Sequence, residues 1–375
     1  MHVVLLGTYD LGKPRTRLLR QSLQAIDPGL QELHVDVWRG VEDKSVMHGM
    51  AARLSIGLKM LFGYPWLALR YLFCGRHDVV VIGYMGLFDM LLLAPLAKMR
   101  GKPVVWDVFL SVYDTWVRDR GMGREGSLSA RLLRRMERRA CRTADRLVMD
   151  TRAHAALLQQ LHDVPESKLD AVLVGAEEGA FTPSGNQPAA STDTGVSILF
   201  YGQFIPLHGI DTIIDAALDP RGRPHSWTIV GSGQEAARID DRLQDADTAH
   251  VQRHDWVDYA KLAGLMSGAH VCLGIFGTSQ KAASVIPNKV YQTLLCGKPL
   301  ITSDSPAMRE LARQEQAGLY LVPAGDPQAL LDAIDRFAQE RAELPAVLHR
   351  HLCEDFSLTA LTRQWRGVLE KAVAQ

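Results

Sequence analysis

No two of the five cysteines (Cys74, Cys141, Cys272, Cys296 and Cys353) stand in a Cys-x-x-Cys pair, and their number is odd. That spacing argues against a zinc ribbon and a disulfide framework, and points to reduced thiols in a cytoplasmic protein. No stretch reaches the roughly 20 apolar residues needed to span a bilayer. The opening run His2–Gly7 lacks a basic flank, is too short for a secretory signal, and reads as the first strand of a fold. An excess of either charge is missing too, since 42 Lys and Arg balance 42 Asp and Glu. A chain that is neutral overall makes a poor nucleic-acid coat, so no nucleic-acid partner is expected. The "DAD" of Asp245–Asp247 follows an acidic helical stretch rather than a strand end, so no metal is expected there.

What is present is apolar material for two cores: 375 residues, 47% of them hydrophobic. The charge is unevenly spread. Between Lys44 and Arg146, 18 Lys and Arg stand against 8 Asp and Glu, a balance of +10 that the rest of the chain cancels. A local basic region in a neutral chain fits a membrane surface or a phosphorylated substrate.

Short β-branched runs alternate with helical stretches in the first half: "HVVLLG", "ELHVDVW", "DVVVIGY", "PVVWDVF" and "RLVMDT". A polar stretch rich in Pro, Gly and Ser follows at 182–195, and the pattern then restarts with "VSILFYG", "SWTIVGSG", "AHVQRHDWV", "AHVCLGIF", "KPLITSD" and "GLYLVP". The expected fold class is α/β, two Rossmann-like, doubly wound parallel-sheet domains facing a cleft. The expected boundaries are 1–182 for the first domain, 183–195 for a linker and 196–354 for the second domain, with a helix at 355–375 crossing back to the first.

One turn stands out. In "FYGQFIPLHGID" (200–211) a strand passes through Gly202 and Gly209 into a helix whose apolar face is Ile210, Ile213, Ile214 and Ala217. Unpaired N–H groups and the positive end of a helix dipole suit an anion there. The bland alternative is a glycine turn with no ligand.

As a group, "LVGAEEGAFTP" (173–183), "LFYGQFIPLHGIDTIIDAA" (199–217), "WTIVGSGQE" (227–235), "VIPNKVYQTLLCGKPLITSD" (285–304) and "GLYLVPAGDPQALLDAI" (318–334) resemble the GT-B glycosyltransferases, specifically the retaining family 4. The resemblance covers most of the second half and is vaguer in the first. It implies a nucleotide diphosphate sugar donor, of the UDP or GDP type, held by the second domain, with no metal or other cofactor. It also implies retaining transfer in which the donor's own phosphate helps deprotonate the acceptor, so that no dedicated base is needed.

The anion at the glycine turn would then be the donor diphosphate. Where the family places an Arg and a Lys, this chain has Gln203 and His208; a protonated His208 could supply part of that charge. Two family glutamates are replaced by Ser284 and Gln292, and Gln292 would contact the donor ribose through neutral hydrogen bonds. Pro287, Asn288 and Lys289 open the same helix, where Lys289 either meets a phosphate or sugar hydroxyl or is a solvated cation. Trp256 and Val257 occupy the base-binding loop, and Trp256 either stacks on the base or packs between helix and strand. Gly231 permits close backbone approach. In the first domain Gly7 ends a strand before a loop with Lys13, Arg15 and Arg17, either a basic lip against the donor phosphate or a solvated helix start. No histidine follows the "VVWD" strand, which leaves Asp107 and Asp114, beside Ser111 and Tyr113, as candidate catalytic groups; a structurally paired Asp107 is the alternative.

The stretch 50–73 is apolar, with Arg53, Lys59 and Arg70 spaced along it and Pro65 expected to split it into two helices. It reads as a peripheral contact with the anionic inner face of the membrane, or as an ordinary buried helix pair. Six arginines, Arg131, Arg134, Arg135, Arg138, Arg139 and Arg142, read as a solvated helix. The expected activity is transfer of a sugar to a lipid-linked, polysaccharide or glycoconjugate acceptor. A nucleotide-sugar binding protein without transfer activity and a GT-B sugar-nucleotide epimerase are the rivals.

Overall fold

The computed structural model describes residues 1–38, 50–181, 195–244 and 246–375. All but Gly195 of the expected linker, Asp245 of the acidic triplet and the side chain of Arg53 lie outside the described residues. Two compact units are present: Met1–Gly175 with Leu358–Gln375, and Ala176–Ser357.

The first unit is a six-stranded sheet, paired in parallel throughout. Its strands are β1 (Val3–Gly7), β2 (Gln31–His34), β3 (Val79–Ile82), β4 (Val104–Asp107), β5 (Arg146–Met149) and β6 (Leu169–Ala171), in the order β2-β1-β3-β4-β5-β6. Runs such as Val79–Ile82 are buried along their whole length because helices cover both faces. Leu67 and Tyr71, Leu87 and Met90, Ala140 and Cys141, and Leu158 seal one face from four helices. Leu18, Leu19 and Leu23 of Pro14–Ile26 and Leu361, Trp365 and Leu369 of Leu358–Val373 seal the other. The terminal helix is thus part of the first unit's core.

Two expectations differ here. Strand β6 was not foreseen, because it is three half-buried residues around a charge; Asp170 is held by Arg146 and Lys371. The stretch expected to break at Pro65 is a single helix, Met50–Leu72. Pro65 lies on the exposed side, as does Leu61, whose carbonyl it cannot bond, while Leu67 and Tyr71 anchor the opposite side.

The second unit has six more parallel strands: β7 (Ser197–Tyr201), β8 (Ser226–Val230), β9 (Val251–His254), β10 (Val271–Leu273), β11 (Leu300–Ser303) and β12 (Leu319–Val322). They are ordered β12-β11-β10-β7-β8-β9. Its main core joins Phe200, Trp227 and Ile229 to Ile210, Ile213 and Ile214 of the helix Ile210–Leu218 and to Leu330, Ile334 and Phe337 of Pro327–Glu340. The apolar face foreseen after Gly209 is the one that is buried.

Candidate functional site

In the second unit β7 pairs with β8 on one side and with β10 on the other, so strand order reverses between β7 and β10. Loops leaving the carboxyl ends of strands at such a reversal open a crevice that no crossing helix fills. The loop after β7 is the Gly202–Gly209 turn, and the loop after β10 runs through Phe276 and Gly277. They are pressed together: the Phe276 N–H donates to the His208 carbonyl at 3.0 Å. A Cβ on Gly209, whose φ is +62°, would collide with the backbone of Phe276 and Gly277. Gly209 is therefore required by loop packing as well as by its left-handed conformation. Gly231 does the same for the β7–β8 side, since a Cβ there would strike the Gly202 carbonyl.

Two side chains converge on Gly202. The Nζ of Lys289 lies 2.6 Å, and Cε1 of His208 3.0 Å, from where a Cβ of Gly202 would stand. Lys289 is the second residue of the helix Asn288–Leu295, which Pro287 caps. It is not the solvated cation of the bland reading: it is 5% exposed, and its Nζ has no hydrogen-bond partner in its buried site. It rests 3.8 Å from the centroid of the Phe200 ring. Burial alone pushes the Lys289 ammonium well below the ordinary lysine value, with no neighbouring charge contributing. His208 closes the short 3-10 turn Pro206–His208, and its Nδ1 meets the Gln203 carbonyl. A carbonyl only accepts, so Nδ1 carries the proton.

Gln292, one turn further along the same helix, is 4% exposed and held at both ends of its amide. The Tyr201 hydroxyl donates to its Oε1 at 2.8 Å, and its Nε2 donates to the Tyr259 hydroxyl at 3.2 Å. Tyr259 in turn donates to Glu177 at 3.1 Å. Tyr201, Tyr259 and Glu177 escaped the sequence reading because a tyrosine ending an apolar strand looks like core. Burial holds the Tyr201 hydroxyl protonated by raising it well above the ordinary tyrosine value. Trp256, beside the half-buried Val257 after β9, is 66% exposed, which removes the reading that it packs between helix and strand. Ser284 ends a short helix, Gln280–Ser284, and donates to the Gln280 carbonyl.

The first-unit candidates are engaged otherwise. Asp107, ending β4, is fully buried, and Arg15 donates to it from Nη2 at 2.7 Å and from Nε at 3.0 Å. Arg15 also donates to the Val172 and Leu173 carbonyls and lies over Phe109 and Trp365. Asp107 is thus a counter-ion rather than an offered acid or base, and Arg15 is no part of a basic lip. Gly7 (φ +132°) faces the buried Asp89 carboxylate, which accepts from the Thr8 N–H at 2.8 Å. The side of Gly7 where a side chain would stand is thus filled by that carboxylate. Asp114 is buried at the start of a six-residue π-helix, where its N–H donates to Ser111 Oγ. Among the described residues no group of three His, Cys, Asp or Glu is arranged to hold a metal ion.

The fold has close counterparts. Sucrose-phosphate synthase from Thermosynechococcus elongatus superposes with a TM-score of 0.72 at 17% identity, covering 100% of this chain and 99% of that one. HepE from Anabaena, solved in complex with UDP-glucose, does so with a TM-score of 0.69 at 11% identity and 99% coverage of each chain. A glycosyltransferase from Rickettsia africae follows at a TM-score of 0.62 and 11% identity, over 99% of this chain and 98% of that one. This is the GT-B fold of two parallel-sheet domains. A comparison with curated proteins finds no match. Family models do match, "Glycosyl transferase 4-like domain" over residues 6–175 and "Glycosyl transferases group 1" over residues 195–340, which together take in most of the sequence. The chain belongs to the group 1 glycosyltransferases.

Proposed function

We propose that this glycosyltransferase moves a sugar from a UDP- or GDP-type donor, with retention and without a metal ion, to a lipid-linked, polysaccharide or glycoconjugate acceptor. The observation that carries the donor assignment is the convergence of Lys289 and His208 on Gly202, at the strand reversal, with no carboxylate beside Lys289 among the described residues. A diphosphate entering there meets two groups able to hold positive charge and the start of the helix Ile210–Leu218. HepE was solved with UDP-glucose, which fits a diphosphate in this fold. Stabilising the departing diphosphate is the main demand of such a transfer, and those groups address it. The spare N–H of Gln292 is assigned to the donor ribose, and exposed Trp256 to the base.

The acceptor side rests on the helix Met50–Leu72. Its outer side exposes Leu58, Leu61, Phe62, Trp66 and Leu69, and among the described side chains Lys59 and Arg70 are the charges there; Phe62 is 71% and the following Phe73 83% exposed. No described helix is long and apolar enough to cross a membrane. An apolar face ringed by cations suits peripheral contact with an anionic bilayer.

A thermal-shift screen over UDP- and GDP-sugars tests the donor assignment, because a selective ligand raises the melting temperature by mass action. Incubation with the stabilising donor alone separates the rivals. An epimerase forms a new sugar nucleotide, a binder leaves the donor intact, and a transferase hydrolyses it slowly at most and turns over when an acceptor is added.

A further inference from the structure

Lys289 presents an uncommon situation: a lysine amine buried beside a glycine cradle with nothing to neutralise it. The groups facing it can be named. Phe200 and Tyr201 come from β7, and the Tyr201 hydroxyl stays protonated. His208 comes from the turn after β7. Gln292 lies on its own helix and is neutral. The helix Arg350–Asp355 packs on the same element through Cys353, which meets the Leu294 carbonyl, and the adjoining Phe356 packs on Tyr291. Among the described residues no carboxylate takes part.

An ammonium ion in such a site lacks both water and a counter-charge, and the neutral amine is favoured. A diphosphate placed against Gly202 supplies the missing counter-charge. The Phe200 ring face also favours the cation once it forms. Resting on the donor assignment above, we infer that Lys289 is a neutral amine in the empty site and takes up a proton from solvent when the diphosphate binds. Donor capture and proton uptake are then one event. When the diphosphate leaves, the proton is released, so the site does not retain a fixed charge that would slow product departure.

Calorimetric titration with UDP and with GDP, at pH 8.5 in buffers of different ionisation enthalpy, reads this directly. The apparent binding enthalpy should vary with buffer enthalpy, with a slope corresponding to uptake of up to one proton per site. His208→Gln should keep that slope, and Lys289→Met should lose it. Binding with no buffer dependence overturns the inference while leaving the donor assignment standing. Absence of binding by both nucleotides overturns the donor assignment and the inference with it. A second reading needs no ligand. Lysine normally titrates near 10.4, and a lower value in the folded state makes the buried amine destabilising at low pH and harmless at high pH. Ligand-free Lys289→Met should therefore melt above the wild type at pH 7, and the gap should close as pH rises toward 10. A gap that stays constant over that range would show that Lys289 is not neutral in the empty site.

Discussion

The Tyr201 hydroxyl donates to Gln292 Oε1 at 2.8 Å, and this contact sets the direction of a chain of hydrogen bonds running on to Tyr259 and Glu177. Each link uses a donor that the next residue can accept only if position 292 is an amide. A carboxylate there would accept from Tyr201 but could not donate to Tyr259, which already gives its proton to Glu177. Gln292→Glu should therefore destabilise the second unit by about 1–3 kcal/mol, the range for a buried polar group losing its partner. Denaturant unfolding measures it. Nucleotide binding should weaken rather than strengthen; tighter UDP binding at unchanged stability would show that the chain is incidental.

The Arg15–Asp107 pair yields a prediction about stability rather than turnover. Both side chains are almost wholly inaccessible, so removing the cation strands a buried carboxylate. Arg15→Met should cost about 3–5 kcal/mol, as for other buried pairs broken on one side. Combining Arg15→Met with Asp107→Leu should recover most of that loss. If Asp107→Asn instead lowers turnover strongly with the melting temperature unchanged, the pair has a catalytic role after all.

Asp89 should give a pH signature. Its burial against Gly7 and Thr8 pushes its carboxyl up to about 6, against roughly 3.9 for an ordinary aspartate. The folded state therefore binds the proton more tightly than the unfolded chain. The stability this group contributes is fully present below about pH 4 and lost as pH rises through 6. Two pKa units amount to about 3 kcal/mol. Asp89→Asn should remove that slope, so the difference in unfolding free energy between the two proteins should change by about that amount from pH 4 to 7. Parallel curves would rule out the raised value.

The outer side of Met50–Leu72 should direct membrane association. Pelleting with anionic vesicles should be strong at low salt and weaken as salt rises, because exposed cations are screened beyond roughly 8–10 Å at physiological ionic strength. Phe62→Ser with Phe73→Ser should reduce pelleting at all salt concentrations, since it removes the apolar share. Equal pelleting with neutral vesicles would reject the electrostatic part, and none with either would reject the docking face.

Much of the architecture could be read from the sequence, because parallel strands buried on both faces are written as unbroken runs such as "VVVI" and their helices as periodic ones. The glycine turn after β7 and its helix were legible for the same reason. Strand β6 was not, since a strand organised around Asp170 carries no apolar run, and neither was the continuity of the helix through Pro65, which depends on that residue facing outward. At the site, Lys289 and His208 were visible as residue types. Their meeting at Gly202 was not, because it joins positions 87 and 81 residues apart in sequence. The choice at Asp107 stayed open for a related reason: a carboxylate at a strand end reads as functional or as paired until its partner, Arg15, is brought to it by a helix that follows a different strand.

His208 provides the sharpest test of the chemistry. Its Nδ1 is committed to the Gln203 carbonyl, which fixes the tautomer with the proton on that nitrogen. A protonated imidazole there would stabilise charge as it gathers on the departing diphosphate, more in the transition state than in the donor complex. His208→Ala should therefore lower kcat more than it weakens donor binding. One charge-assisted hydrogen bond is worth about 1.5–3 kcal/mol, or about a ten- to a hundredfold drop in rate. His208→Lys keeps the charge at every pH in the working range, so it should retain activity and depend less on pH than the wild type does. Rate profiles from pH 6 to 8 for the three proteins decide the matter. If His208→Ala matches the wild type across that range, the imidazole does not carry the charge, and Lys289 with the backbone N–H groups must hold the diphosphate without it.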